Sequence, residues 1–217
     1  MNHMAKDPAM GELGYERAEL DFYPTPSWVT DAISPQVLER LTDYGPRGGL
    51  QVPRTIWEPA CGDGAMSRRL EENFRGLGIK VLASDIVDRG AGEIRDFLDV
   101  EKLDGALSGV RGIVTNPPYG RMAETFTAHA LKLMKPVQGF VAMLLRHEWD
   151  CAKERQHLLG MHKAYAHKMV LTSRPRWIAD STGSPRHNYA WFIWDWKTVT
   201  NAERPTIGYH VREGKGD

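Results

Sequence analysis

Apolar residues recur along this chain in two rhythms. Short, nearly continuous apolar runs stand at "TIWEP" (55–59), "IKVLASDI" (79–86), "GIVTN" (112–116), "GFVAMLL" (139–145) and "YAWFIWDW" (189–196), with a weaker one at "HKMVLT" (167–172). Runs of this length between turn residues read as buried strands. Between them the spacing changes to three and four. Trp28, Val29, Ile33, Val37, Leu38 and Leu41 form one helical stripe over about 27–44, with Pro35 as an expected break, so one or two short helices are predicted there. "GAMSRRLEENFRGLG" (64–78) predicts a helix with Met66, Leu70, Phe74 and Leu77 inward and Gly78 as its stop. Further helices are predicted over 122–134, closed by Pro136, and over 149–162; 95–100 reads as a loop. Strands that alternate with helices of ten to fifteen residues predict an α/β fold, a doubly wound and mostly parallel sheet. In such sheets ligands bind beyond the carboxyl ends of the strands, where the strand order reverses.

The chain has 217 residues, which suits one domain with a full core. Residues 1–20 are polar and weakly periodic and read as a flexible lead-in, with "MNHM" as a cloning remnant; 21–200 reads as a single domain and 201–217 as a tail. Lys plus Arg balances Asp plus Glu at 28 each, so a basic surface for nucleic acid would have to be local. No apolar run reaches the ~20 residues that span a bilayer, which predicts a soluble, cytoplasmic protein without a membrane partner. Cys61 and Cys151 suit neither a disulfide framework nor a zinc pair. "RHEWDC" (146–151), with several nearby histidines, matches no metal-ligand spacing, so no metal is expected.

Three strand ends carry the candidate chemistry. In "WEPACGDGAMS" (57–67), Gly62 and Gly64 permit a tight turn and a close approach of backbone to ligand. The loop holds an acid, Asp63, and no lysine, which argues against a bound phosphate and for a ligand with positive charge. In "LASDIV", Asp85 follows Gly64 at close to the ~20-residue spacing of an acid that bonds ribose hydroxyls. An adenosyl group with a cationic tail satisfies both, and S-adenosylmethionine has that chemistry. In "TNPPYG" (115–120), the prolines stiffen the turn, and the carboxamide oxygen of Asn116 and the peptide carbonyl of Pro117 can lie side by side as acceptors for a planar amino group. Tyr119 adds a face on which a base can stack, with Pro118 beside it. Arg146 and His147, at a strand end, read as pocket lining; Arg174, Arg176 and Arg186, interleaved with Trp177, His187 and Tyr189, suit a phosphate and base surface.

"WEPACGDGAM" and "TNPPY", about 50 residues apart in that order, resemble the amino-directed S-adenosylmethionine-dependent methyltransferases, in particular the N6-adenine DNA methyltransferases with a gamma-like motif order. "DFYPTP" (21–26) is similar to that family's leading segment through Tyr23, Thr25 and Pro26. The resemblance implies that Thr25 helps hold the methionine carboxylate, that Asp96 and Phe97 of "RDFLD" meet the cofactor's adenine, and that "PRHNYAWFIWD" (185–195) lines the target-base pocket. It also implies cofactor contacts from Tyr23, Pro26, Glu58, Ala60, Gly62, Gly64, Asp85, Ile86 and Asn116, and S-adenosylhomocysteine as product. The implied fold is a Rossmann-like class I methyltransferase sheet of seven strands with an antiparallel C-terminal edge hairpin. The implied partner is DNA, with Asn116, Pro117 and Tyr119 acting on a flipped base. Family members of this order usually carry a long target-recognition region after the catalytic domain; reading a long site without one would need a homodimer, inserted loops or a specificity partner. Adenine in RNA, cytosine N4, a protein glutamine amide, and a binding module without turnover stay open as alternatives.

Overall fold

The computed structural model describes residues 22–42, 54–178, 184–197 and 205–212. A single eight-stranded sheet organises them: β1 (Arg54–Glu58), β2 (Ile79–Asp85), β3 (Glu93–Ile94), β4 (Val110–Thr115), β5 (Phe140–Arg146), β6 (Tyr165–Leu171), β7 (Tyr189–Asp195) and β8 (Thr206–His210). Their spatial order is β3-β2-β1-β4-β5-β7-β6-β8. All pairings are parallel except those of β7, which runs antiparallel to both β5 and β6.

The near-continuous apolar runs follow from burial on both faces. Val141, Met143 and Leu145 of β5 point into a core with Trp57, Phe126 and Trp194, while Phe140, Ala142 and Leu144 point into another with Ile33, Leu70 and Trp191. The first core is covered by helix α3 (Arg121–Met134), and the second by α1 (Ser27–Thr42) and α2 (Ala65–Asn73). A side-chain period of two on each strand feeds both.

Four expectations are corrected. The sheet has eight strands, not seven, because Thr206–His210 pairs parallel with β6; the expected antiparallel hairpin of β6 and β7 therefore lies one strand inside the edge. Pro35 does not break α1, since Ile33 and Val37 on either side are fully buried and this packing offsets the missing backbone bond, worth ~3 kcal/mol. Leu77 is 43% exposed, because α2 ends at Asn73 and Gly76 and Gly78 turn the backbone at positive φ. The helix expected over 149–162 is instead a pair of 3-10 turns, His147–Cys151 and Lys153–Arg155. Side chains take the carbonyls a helix would have used: Arg155 donates to Trp149 O at 2.7 Å, and Gln156 Nε2 to Asp150 O at 3.1 Å.

This topology positions the site. From β1 the backbone winds outward to β2 and β3, then returns to β4 on the other side of β1. The carboxyl ends of β1, β2 and β4 therefore meet at the switch point, where an open α/β sheet binds its ligand. Among the described residues, no helix is long and apolar enough to cross a membrane.

Candidate active site

A cavity of about 390 Å³ lies at those strand ends. Twelve of the residues expected from the sequence line it: Tyr23, Thr25, Glu58, Ala60, Gly62, Asp85, Ile86, Asp96, Phe97, Asn116, Pro118 and Tyr119. Pro26, Gly64 and Pro117 stand behind the wall. Pro26 accepts the Val29 amide at 2.9 Å and so starts α1, and Gly64 caps α2 at φ 81.

At the ends of β1 and β2 the wall is made by turns that carboxylates close. Asp85 Oδ2 accepts the Gly62 amide at 2.8 Å, and its Oδ1 accepts the Val87 amide at 2.9 Å and Arg89 Nη1 at 3.2 Å. Asp63 Oδ1 takes the Ala65 amide at 3.0 Å, and Asp96 Oδ1 the Leu98 amide at 2.9 Å. Gly62 needs its glycine: φ is 56°, and a Cβ would lie 2.3 Å from the Phe22 ring. Phe97 contributes an edge to the cavity from a fully buried place, packed between Trp57 at 5.3 Å and Phe126 at 4.7 Å.

Glu58 is the unusual acid. It is 2% exposed, and its Oε2 has no hydrogen-bond partner among the described residues. Burial pushes its carboxyl up to about 8 against hydrogen bonds from the Ser67 hydroxyl and amide, and Asp85 and Asp63 push it further. Cys61 lies beside it, its thiol raised to about 12 by burial and by Glu58 and Asp85. Such a thiol stays protonated and is not a nucleophile.

At the other end stands the Asn116 carboxamide. Its Oδ1 accepts the Tyr119 hydroxyl at 2.9 Å and its Nδ2 donates to Thr25 Oγ1 at 3.3 Å. These two bonds orient the amide and leave Oδ1 a second lone pair. Tyr119 belongs to a group of four rings: it lies 6.3 Å from Tyr23, 6.3 Å from Trp177 and 6.0 Å from Tyr189, while Trp177 and Tyr189 are 5.0 Å apart. Burial, with Tyr189 close by, raises the Tyr119 phenol well above its ordinary value, and burial raises Tyr189 as well. Both rings are neutral at physiological pH.

Trp177 and Tyr189 do not line the cavity, and neither do the remaining predicted residues. Arg146 Nη2 meets His187 Nε2 at 3.2 Å, and burial together with Arg146 lowers the imidazole, so it accepts this bond as a neutral ring. Half-buried His147 uses its backbone, donating its amide to Asn188 O at 3.0 Å and accepting Lys168 Nζ at 2.8 Å. Arg174 is exposed and ties the loop together through Asn188 Oδ1 at 2.8 Å and Pro185 O at 3.1 Å; Arg176 is also exposed.

The sequence reasoning passed over Phe22, Cys61 and Arg89, which also line the cavity. Phe22 stands next to Tyr23 in "DFYPTP", and Arg89 stands four residues after Asp85, the spacing of their ion pair. Those neighbours were the available signal.

No protein-family model matches this sequence, and no curated protein matches it. Solved structures do. A protein from Listeria monocytogenes described as a class I S-adenosylmethionine-dependent methyltransferase superposes with a TM-score of 0.57 at 14% identity, over 86% of this chain and 65% of that one. The methyltransferase subunit of a type I restriction-modification system from Streptococcus thermophilus follows at 0.55 and 13%, over 80% and 44%. An ATP-dependent Type ISP restriction-modification enzyme bound to DNA gives 0.50 and 14%, over 86% and 19%. This is the class I methyltransferase fold. The chain spans 65%, 44% and 19% of the lengths of those three structures. In the class I methyltransferase fold of this protein, the glycine turn after β1, the acid ending β2 and the asparagine after β4 share one cavity.

Proposed function

We propose that the protein is an S-adenosylmethionine-dependent methyltransferase that acts on the exocyclic N6 amino group of a flipped adenine in DNA. The observation that carries this reading is the position of Asn116: its carboxamide opens on the same cavity as Gly62 and Glu58, and its Oδ1 lies at the ring cluster. A ligand with an adenosyl group and a cationic tail suits that cavity. The unpartnered Glu58 Oε2 fits a buried ammonium, and the bare Cα of Gly62 fits a close approach.

When bound, the cofactor supplies an electrophilic methyl group. The protein's own residues bind and orient the acceptor. Asn116 Oδ1, which keeps a free lone pair at the cavity, takes an amino hydrogen and turns the nitrogen lone pair toward the cofactor end. Tyr119, Trp177 and Tyr189 hold the ring and exclude water. The gain comes from positioning and from fixed dipoles that favour positive charge growing on the amino nitrogen. No strong base is needed, because the proton leaves to solvent after transfer.

DNA is favoured by the cationic rim of Arg146, Arg174, Arg176 and Arg186 beside the rings, and by the restriction-modification proteins that share the fold. The test is incubation with methyl-labelled S-adenosylmethionine and separate DNA, RNA and protein substrates, followed by digestion. Label in N6-methyldeoxyadenosine is expected. Label in N4-methylcytosine, in ribonucleosides or in methylglutamine would overturn the adenine-in-DNA assignment.

A further inference from the structure

We propose that Phe22 and Arg89 cover Gly62 and Asp85 at the adenosyl end of the cavity and are displaced when an adenosine-bearing ligand enters, so that this pair sets cofactor affinity. The inference rests on the methyltransferase reading above.

Two contacts that a ligand would need at this end are already taken by the protein itself. The Phe22 ring lies against Gly62, its Cε2 only 2.3 Å from where a Cβ would stand, and so covers the approach that the glycine leaves open. Asp85, the acid placed to meet ribose hydroxyls, has three donors: the Gly62 and Val87 amides and Arg89 Nη1. The two amides are fixed by the turn they close. Arg89 is the exchangeable donor of the three, and a ribose hydroxyl can replace it at Oδ1. The Arg89 guanidinium also sits 4.7 Å from the centre of the Phe22 ring, so the two side chains are held as one unit. Asp85, Gly62, Phe22 and Arg89 all line the one cavity.

A site occluded in this way binds with an affinity reduced by the fraction of molecules in which it is open. Removing the occluding groups should therefore tighten binding, whereas removing a group that holds the ligand would weaken it. The sign of the effect separates the two roles.

The experiment uses the full-length protein and S-adenosylhomocysteine, with association followed by stopped-flow fluorescence and affinity by calorimetry. Arg89→Met keeps the aliphatic stem without donors, and Phe22→Leu removes the aromatic ring that covers Gly62 and packs on the Arg89 guanidinium. Each variant should raise the association rate and the affinity by roughly 3- to 10-fold, and the double variant should gain little beyond either alone, since one event is being removed. Free adenosine should show the same gain, because it presents only the end at issue. Should Arg89→Met prove unstable, the Phe22→Leu rate decides. Slower entry or unchanged affinity in the folded variants overturns the inference. If the unaltered protein binds neither S-adenosylmethionine nor S-adenosylhomocysteine, the methyltransferase reading fails first; if it binds them and neither variant speeds entry, only the inference fails.

Discussion

The two ends of the cavity are built by opposite means. At the proposed cofactor end, backbone amides of Gly62, Ala65, Val87 and Leu98 are each held by a nearby carboxylate, so the wall is backbone fixed in tight turns. At the proposed target end, Tyr23 and Tyr119 of the cavity wall pack with Trp177 and Tyr189 behind them, and these rings come from three separate parts of the sequence and meet through faces and edges. Hydrogen-bonded turns have narrow geometric tolerance, and ring clusters have broad tolerance. Damage at the hinge between the two ends should therefore be abrupt, and damage within the ring cluster graded.

The largest effect is expected at that hinge. Asn116→Ala should lower methyl transfer by about 10³-fold, while S-adenosylhomocysteine affinity measured by calorimetry stays within about 3-fold of the parent. Equal loss of both would show that Asn116 serves the cofactor end and would erase the distinction. Within the ring cluster, Trp177→Ala should cost ~1–3 kcal/mol of acceptor binding, about 5- to 150-fold in kcat/KM, with Tyr119→Phe milder because its ring is kept. An all-or-none loss at Trp177 would mean that the target end is as rigid as the turns.

A smaller effect is expected outside the rings. Arg174→Ala with Arg176→Ala should weaken binding to a DNA duplex and lower the slope of log affinity against log salt by up to about 2, close to one for each phosphate no longer neutralised. An unchanged slope would remove this loop from the DNA surface. The smallest effect concerns Glu58. Its carboxyl is raised from 4.5 to about 8 in the folded protein, so between those values the native state keeps a proton that the unfolded state has released. Stability from this group therefore falls as pH rises through that window. Glu58→Gln should raise Tm by a few degrees, roughly 3 °C, at pH 8 and leave it nearly unchanged at pH 4.5. The same gain at both values would mean that ionisation of Glu58 is not the cause.

The same contrast explains what could be read from the sequence. Strands β1, β4, β5 and β7 were legible because both faces are largely buried, which leaves nearly uninterrupted apolar runs. Strand β8 was not: Ile207 and Tyr209 are 62% and 71% exposed, so its pattern carries no burial signal. The helix expected over 149–162 does not form although Trp149, Leu158 and Leu159 are buried, because side chains of Arg155 and Gln156 claimed its carbonyls. In the site, the glycine turn and the asparagine turn were visible as spaced motifs. The link from Arg89 across Asp85 to Phe22 depends on a segment more than sixty residues away in the sequence, and spacing cannot show it. Trp177 and Tyr189 were visible only as aromatic composition in a basic loop. The meeting of Trp177 with Tyr23 and of Tyr189 with Tyr119 is a product of topology.

Strand β7 has a consequence for synthesis of the protein. All seven of its residues are buried, and it fills the gap between β5 and β6, pairing with both. A nascent polypeptide emerging from the ribosome presents β5 and β6 well before Tyr189 to Asp195 arrive, so two apolar strand edges wait unpaired until nearly the whole domain has been made. The gap between β5 and β6 closes late, and polypeptides stalled before residue 189 carry the edges most prone to aggregate.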